Sequence, residues 1–587
     1  TIEVVGSSPL AMAVRADGTT SPTGTAADSL LQKVEPSAVE LKLTWQGGVD
    51  IEFDPDDPNK PAAGTDGDPA LRSILFRDQV AVDAQDGTID CGSLKMQFAR
   101  SPSGQSEPER MVALENVRAR NDDQTLWTDQ LIVTMESAPA TTEEPPANPS
   151  EDLLGGKVNV KDFLATGDVQ VLLADGGRAF ADRLEGDARQ EIAILTGDNV
   201  TVARKEMLID HGTRLVISRL EGTAKWAGPG QARLLRTPLD VSADQRIARP
   251  GVPAPEPVEK GTQAGIKSSG NGPVTMRARW NEEMVYDSRF NDGAGSINLK
   301  GDVAVIADGS PLERSTMDGA ALTLQFAFAP ESIPSTASAN SAADPLDLGG
   351  IEGDSRVLEK LIAKGDARLE HREWIEQDRS DLPRVFYIAA KHITWDDLQV
   401  RAEVIGDGNL VLREPKKSDA DQVNSGPFSG AGTSRFVWTK RLKMERQPSN
   451  RFEIEMLGDV EGLYRGATDD DIATVTAQRV DALTKRSRDS TATRSSNPLD
   501  FEGDMEIEKL RAEGQVYLAT RSRRADANIV DYDTRTQIAT LTARKGRKVS
   551  VVTEGSPLPV KATKMIWNMD PDVDSIQLVE PSGTGIR

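Results

Sequence analysis

Along this chain apolar and polar residues alternate with a period of two far more often than they recur every three or four. Phe452-Glu-Ile-Glu-Met456, Met505-Glu-Ile-Glu508 and Asn409-Leu-Val-Leu-Arg413 carry the pattern. Such alternation sets one face of a β-strand against an apolar interior and the other in water. Helical periodicity is confined to residues 28–35 and 355–364, each long enough for about two turns. Asp86-Gly87, Asp175-Gly176, Asp210-His211-Gly212, Asp308-Gly309 and Asp318-Gly319 punctuate the alternating runs. Asp-Gly favours the positive φ angles of tight hairpins, so the pattern predicts many short antiparallel strands, about forty, with brief connections. The fold class is all-β.

Six stretches interrupt the strands: 54–69, 136–156, 248–273, 329–353, 414–434 and, more weakly, 486–500. They are poor in large apolar residues and rich in Pro, Gly, Ser and charge, as solvated insertions are. Between them lie five strand-rich segments, 1–135, 157–247, 273–328, 354–413 and 434–587.

The strands repeat. One unit reads Gly167-Asp-Val-Gln-Val171, Asp175-Gly-Gly177, Phe180-Ala-Asp-Arg-Leu184. Others run through Glu513-Gly-Gln-Val-Tyr-Leu518 to Asp526, Glu115-Asn-Val-Arg-Ala119 to Asp129, Gln79-Val-Ala-Val82 to Asp90, and Gly301-Asp-Val-Ala-Val305 to Asp318. From the first Val of each unit to its Asp the spacing is 13, 10, 12, 10 and 15 residues respectively. No unit buries its apolar stripe alone, and stacked neighbours make the stripe continuous. A filled sandwich core and a trough left open to a long apolar ligand both satisfy that pattern.

The series Gly-Asp-Val, Ala-Asp-Arg-Leu and Leu-Thr-Gly-Asp-Asn-Val over 167–200 resembles the OstA-like repeat of the lipopolysaccharide-transport bridge proteins. The likeness is clearest over 111–135, 165–220 and 505–545, and weaker over 75–98, 295–328, 385–413 and 434–485. It implies an open, elongated β-jellyroll of two facing sheets in which acyl chains lie while the sugar stays outside. It also implies a periplasmic location in a Gram-negative-type envelope. Its partners would be lipid or lipopolysaccharide and other β-jellyroll transport proteins joined through edge strands. Val169, Val171, Leu173, Val303, Val305, Leu410, Leu412, Ile454, Met456, Val516 and Leu518 are the candidate groove residues, on alternating faces of their strands. Burying hydrocarbon gains ~0.8 kcal/mol per CH₂, so such a channel needs no further motif. Arg523, Arg524, Arg544 and Lys545 are the candidates for anionic headgroups.

Composition narrows the alternatives. The 587 residues carry 69 Lys+Arg against 93 Asp+Glu, a net charge of −24, which argues against phosphate-backbone binding and hence against a nucleic-acid partner. One cysteine, Cys91, excludes an internal disulfide framework, and three histidines, His211, His371 and His392, leave little for metal or acid–base chemistry. No apolar run approaches the ~20 residues a bilayer-spanning helix requires. The chain opens at Thr1 without a signal-peptide pattern, as a mature or trimmed product would. The acid runs Glu282-Glu283, Asp396-Asp397 and Asp469-Asp470-Asp471 read as solvated turns or strand faces. Asp54-Pro-Asp-Asp-Pro58 lacks calcium-loop spacing, and Gly430-Ala-Gly-Thr433 lacks the Lys of a phosphate loop. The expectation is a non-enzymatic carrier with no catalytic residue, no metal and no cofactor. A closed β-repeat scaffold is the alternative, and a polysaccharide-acting β-solenoid enzyme the third.

Overall fold

A computed structural model describes residues 2–5, 12–13, 42–53, 71–84, 87–100, 106–121, 124–137, 158–173, 176–204, 207–235, 246, 274–310, 312–328, 356–374, 379–415, 427–428, 431–447, 451–466, 471–486, 505–556, 558–570 and 573–581. The insertions expected at 54–69, 248–273 and 329–353, and most of the other three, lie outside these residues, as does the helix expected at 28–35. The fold is all-β: the described residues form 31 antiparallel strands and one four-residue helix, α1 (Phe290–Gly293). No helix among them is long and apolar enough to cross a membrane.

The chain divides into two compact units, the first essentially Thr1–Gly230 and the second Val274–Ala343 with Gly350–Arg587. Unit 1 contains β1 (Ile2–Val5), β2 (Met12–Ala13), β3 (Lys42–Thr44), β4 (Gly48–Phe53), β5 (Leu71–Ala84), β6 (Gly87–Arg100), β7 (Ser106–Arg120), β8 (Thr125–Ser137), β9 (Val158–Leu172), β10 (Arg178–Asp187), β11 (Ile192–Arg204), β12 (Met207–Ser218) and β13 (Thr223–Ala227). β14 (Gly230–Leu235) lies at the division. Unit 2 contains β15 (Val274–Trp280), β16 (Glu283–Asp287), β17 (Ser296–Ser310), β18 (Glu313–Phe328), β19 (Arg356–Glu373), β20 (Arg384–Asp396), β21 (Arg401–Glu414), β22 (Gly432–Trp438), β23 (Arg441–Gln447) and β24 (Arg451–Gly466). It continues with β25 (Ile472–Arg486), β26 (Met505–Thr520), β27 (Arg523–Asp533), β28 (Ile538–Thr542), β29 (Val549–Thr553), β30 (Val560–Asn568) and β31 (Ser575–Pro581).

The strands are fewer and longer than expected, up to 18 residues in β19, because several of the turn signals fall inside them. Gly197-Asp198 lies in mid-β11, His211-Gly212 in β12 and Asp318-Gly319 in β18. Gly167 (φ +86°) and Asp168 (φ +44°) sit in β9, Gly301 and Asp302 in β17, Gly365 and Asp366 in β19, Gly458 and Asp459 in β24, all left-handed. Each coincides with a register shift, as between Trp127 and Gln130 opposite Thr166, or between Leu457 and Val460. A β-bulge bends its strand and strengthens the twist. Aligned in neighbouring strands, these bulges fold the ladder along one corner into two arms. Glycine is required at Gly167 both by its φ and by the Asp129 carboxylate, whose Oδ2 stands 2.6 Å from where a Cβ would be. Asp182 caps the next corner, its Oδ2 accepting the Asp198 amide at 2.9 Å.

The helix expected at 355–364 is strand: residues 356–364 belong to β19. A bulge between Gln325 and Phe326 of its partner skips Glu359, so Leu358 and Leu361 are both buried three residues apart and imitate a helical stripe.

Candidate functional site

The two arms present facing inner ranks of side chains. In unit 1 the rank beside the corner runs Val49, Phe76, Leu94, Ala113, Leu131, Ala165, Leu184, Leu195, Leu215 and Trp226, each the cross-strand partner of the next. All ten are buried. On the second arm Val80, Cys91, Val117, Thr128, Val169, Ala181 and Val200 are buried beside the same corner.

One step further from the corner the interior of unit 1 opens. On the first arm Ile51, Ile74, Met96, Met111, Val133 and Phe163 follow one another in register across β4–β9. On the second arm Val82, Ile89, Ala119, Leu126 and Val171 do the same. Every one of these eleven is apolar and only half-buried. Their outward neighbours on the first arm, Leu75, Val112, Ile132 and Leu164, are also half-buried. Among the described pairings none joins the free ends of the two arms, so the mouth opposite the corner is not closed by ladder hydrogen bonds.

Unit 2 follows the same plan and fills it. Its corner rank, from Met284 and Leu299 through Val404 and Met456 to Leu541 and Met565, is buried throughout. So is its next rank from Leu361 onward: Trp395, Ala402, Met444, Ile454, Ala482, Leu510, Tyr532, Ala539 and Trp567. A small apolar cavity is lined from the first arm by Ile393, Trp395 and Ile454 among others, and from the second by Leu369, Ile388 and Leu410. Its volume is about 10 Å³. That is room for about one water, not a hydrocarbon chain.

The candidate groove residues therefore divide. Val169 and Leu173 are buried and Val171 stands half-exposed in the open part of unit 1. Val303, Val305, Leu410, Ile454, Met456, Val516 and Leu518 are buried in unit 2, and Leu412 is half-buried. The alternation of the sequence identifies inner faces in both units. It misses the open ranks other than Val171, and the only signal for them is Met96 and Met111 in consecutive strands.

The headgroup candidates also divide. Arg523 turns inward, donating from Nη2 to the Asp574 carbonyl at 2.5 Å with Nε 3.4 Å from its carboxylate. Arg524, Arg544 and Lys545 are exposed. Arg544 and Lys545 lie in the 543–548 loop between β28 and β29, which stands at the corner rather than at the mouth of the arms.

Among the described residues none of the weighed chemical motifs gathers into a catalytic array. Lys300 Nζ donates to Glu283 at 2.5 Å, Asp396 caps the Gln399 amide, and Asp397 accepts the Trp395 indole N–H at 3.1 Å. Asp471 lies 3.5 Å from the Tyr464 hydroxyl, and burial pushes its carboxyl up. His211, in a strand rather than a turn, is exposed and pairs its Nδ1 with the buried Asp210 carboxylate at 2.6 Å. His371 Nδ1 lies 3.0 Å from Ser315 Oγ, both buried within the inner wall. Burial and Lys364 opposite hold His392 below the usual imidazole range. Among the described residues no group of three or more His, Cys, Asp or Glu is arranged as a metal would need. Asp54–Pro58, Gly430, Asp469 and Asp470 lie outside them.

No family model matches the chain, and no curated protein matches it in sequence.

Proposed function

We propose that the chain is a non-enzymatic lipid carrier that shelters acyl chains between the arms of unit 1. The observation that carries the reading is the pair of facing, apolar, half-buried ranks over β4–β9, from Ile51 to Phe163 on one arm and Val82 to Val171 on the other. Six strands at ~4.8 Å span about 24 Å, enough for a fatty acyl chain laid across them. Twelve methylenes half-withdrawn from water there would gain about 5 kcal/mol. Neighbouring ranks are chemically alike, so a chain passes along them over low barriers, and direction has to come from an external motor. That the ligand is lipopolysaccharide, that the site of action is the periplasm, and that β-jellyroll partners add through edge strands rest on the resemblance of the repeats.

A second reading, a closed scaffold without ligand, is favoured in unit 2 by the buried Trp395, Tyr532 and Trp567. Native mass spectrometry of the purified protein separates the two. Co-purifying lipid, displaced by a fatty-acid probe, supports the carrier. A protein that carries no lipid and takes up no probe leaves the scaffold.

A further inference from the structure

Several cations of this acidic chain pair with carboxylates on their own or a neighbouring strand. Arg441 pairs with Glu455, Arg479 with Glu455 and Asp481, Arg511 with Glu513 and Asp531, and Arg384 with Glu373 and Glu414. One place differs. Between β28 and β29 the loop Arg544-Lys-Gly-Arg-Lys548 turns through an Arg547 N–H to Arg544 carbonyl bond at 2.9 Å, with Gly546 at φ +84°. Its four cations are all exposed.

The topology sets two more beside them. β30 pairs with β28 through Thr542 and Lys564 and with β29 through Ser550 and Lys561, and the Ala543 amide bonds the Thr563 carbonyl at 3.1 Å. Lys561 and Lys564 alternate with the buried Ala562 and Met565, so both point outward, where they are exposed. Arg524, across β29 from this strand, is exposed on the same outer face. None of the seven cations has an ion pair within 4 Å among the described residues. Asp526 and Glu554 border the patch without balancing it.

Apolar side chains protrude beside the charges. Leu558, in the loop leading into β30, is 71% exposed, more than any other large apolar side chain described. Val552 (38%), the cross-strand partner of Arg524 near the end of β29, is exposed on the same outer face. A cluster of cations bordered by protruding aliphatic groups is the pattern that binds an anionic bilayer surface: the charges meet headgroup phosphates and the aliphatic tips enter the interface. An acidic protein segment would use the charges alone and leave Leu558 in water.

We propose that this β28–β30 patch docks the protein on an anionic lipid surface. The inference stands apart from the carrier reading, since the patch belongs to unit 2 and lies on the outer side of the sheet. In a molecule of net charge −24, such a patch also favours approach to a negative surface through this face.

The test is flotation of the full chain with vesicles of phosphatidylcholine alone and with phosphatidylglycerol added, at low and high salt. Binding is expected only to the anionic vesicles and is expected to fall as salt rises. Replacing Arg544, Lys545, Arg547 and Lys548 together by Ala is expected to weaken it several hundredfold, about fivefold per cation. Leu558→Ala is expected to weaken it about tenfold while leaving its salt dependence intact. Circular dichroism identical to the parent establishes that the exposed-loop variants fold. Failure to bind anionic vesicles at low salt, equal binding by the four-site variant, or capture of poly-glutamate in preference to the vesicles would overturn the proposal.

Discussion

Met111 and Val112 are adjacent in β7, both half-buried, and point to opposite faces of the same arm. Replacing each in turn by Asp therefore isolates the inner face from the outer. In Met111→Asp, three or four ligand methylenes lose their contact at ~0.8 kcal/mol each, about 3 kcal/mol in all. A carboxylate held against a bound hydrocarbon adds a desolvation cost of several kcal/mol unless the ligand is excluded. Affinity should fall at least about 150-fold. Val112→Asp places the same charge in water and should leave affinity within about twofold of the parent. Both positions are accessible in the empty protein, so both variants should lose only about 1 kcal/mol of stability. The assay is titration of a fluorescent fatty acid, with thermal melting of both variants alongside. Equal loss of affinity in the two variants, or loss in neither, would refute an acyl site between the arms of unit 1.

Gly167→Val forces a β-branched residue to φ +86° against the Asp129 carboxylate, and should cost more than 2 kcal/mol in denaturant melts, against about 1 kcal/mol for Asp182→Ala, which removes one cap. Tyr532 Oη is buried without a hydrogen-bond partner, so Tyr532→Phe should be neutral or stabilising, whereas Tyr464→Phe, which loses a 3.2 Å bond to the Ala431 carbonyl, should destabilise by about 1 kcal/mol in the same melts. Burial, then Asp90, pushes the Cys91 thiol from 9.0 up to about 11. The folded state therefore holds its proton longer than the unfolded state, and this thiol should cost no stability below pH 9 and lower it progressively from pH 9 to 11; alkylation at pH 8 should require unfolding. Trp395→Ala should cost about 3–5 kcal/mol and enlarge the unit 2 cavity, detectable as uptake of a small apolar probe that the parent refuses.

The period-two alternation was enough for the all-β class, because a residue's face in a strand is settled by parity alone. The corners were not legible as corners. Gly-Asp supplies two left-handed residues equally well to a hairpin and to a bulge, and only long-range pairing shows that Gly167-Asp168 and Gly301-Asp302 lie inside β9 and β17. The same bulges displaced the repeat alignment. Val80, Val117, Val169, Val303 and Val516 actually face Cys91, Thr128, Ala181, Gly319 and Ala527. Asp129 and Asp182 thus share an equivalent place just past the corner, while Asp90, Asp318 and Asp526 fall one residue before it. Lys561 and Lys564 were invisible as part of a basic patch because β30 returns beside a loop some fifteen residues upstream.

What separates the two interiors is side-chain size, which hydropathy does not register. In unit 2 large and small residues alternate across the inner rank: Trp395 faces Ala402, Ala482 faces Leu510, and Ala539 stands between Tyr532 and Trp567. Such interdigitation lets two arms close to native packing density. At the same rank of unit 1, Ile51, Ile74, Met96, Met111, Val133 and Phe163 follow one another with neither a Trp nor a small residue among them, and the facing arm contributes Val82, Ile89, Ala119, Leu126 and Val171. The same ladder therefore yields a filled core at one set of strands and, at another, a line of apolar surface left facing water. A contiguous apolar surface of that kind is uncommon on a folded protein without something to cover it. Its row-by-row continuity across six strands suits an occupant that is itself long, apolar and indifferent to register, as a hydrocarbon chain is and a folded protein surface is not.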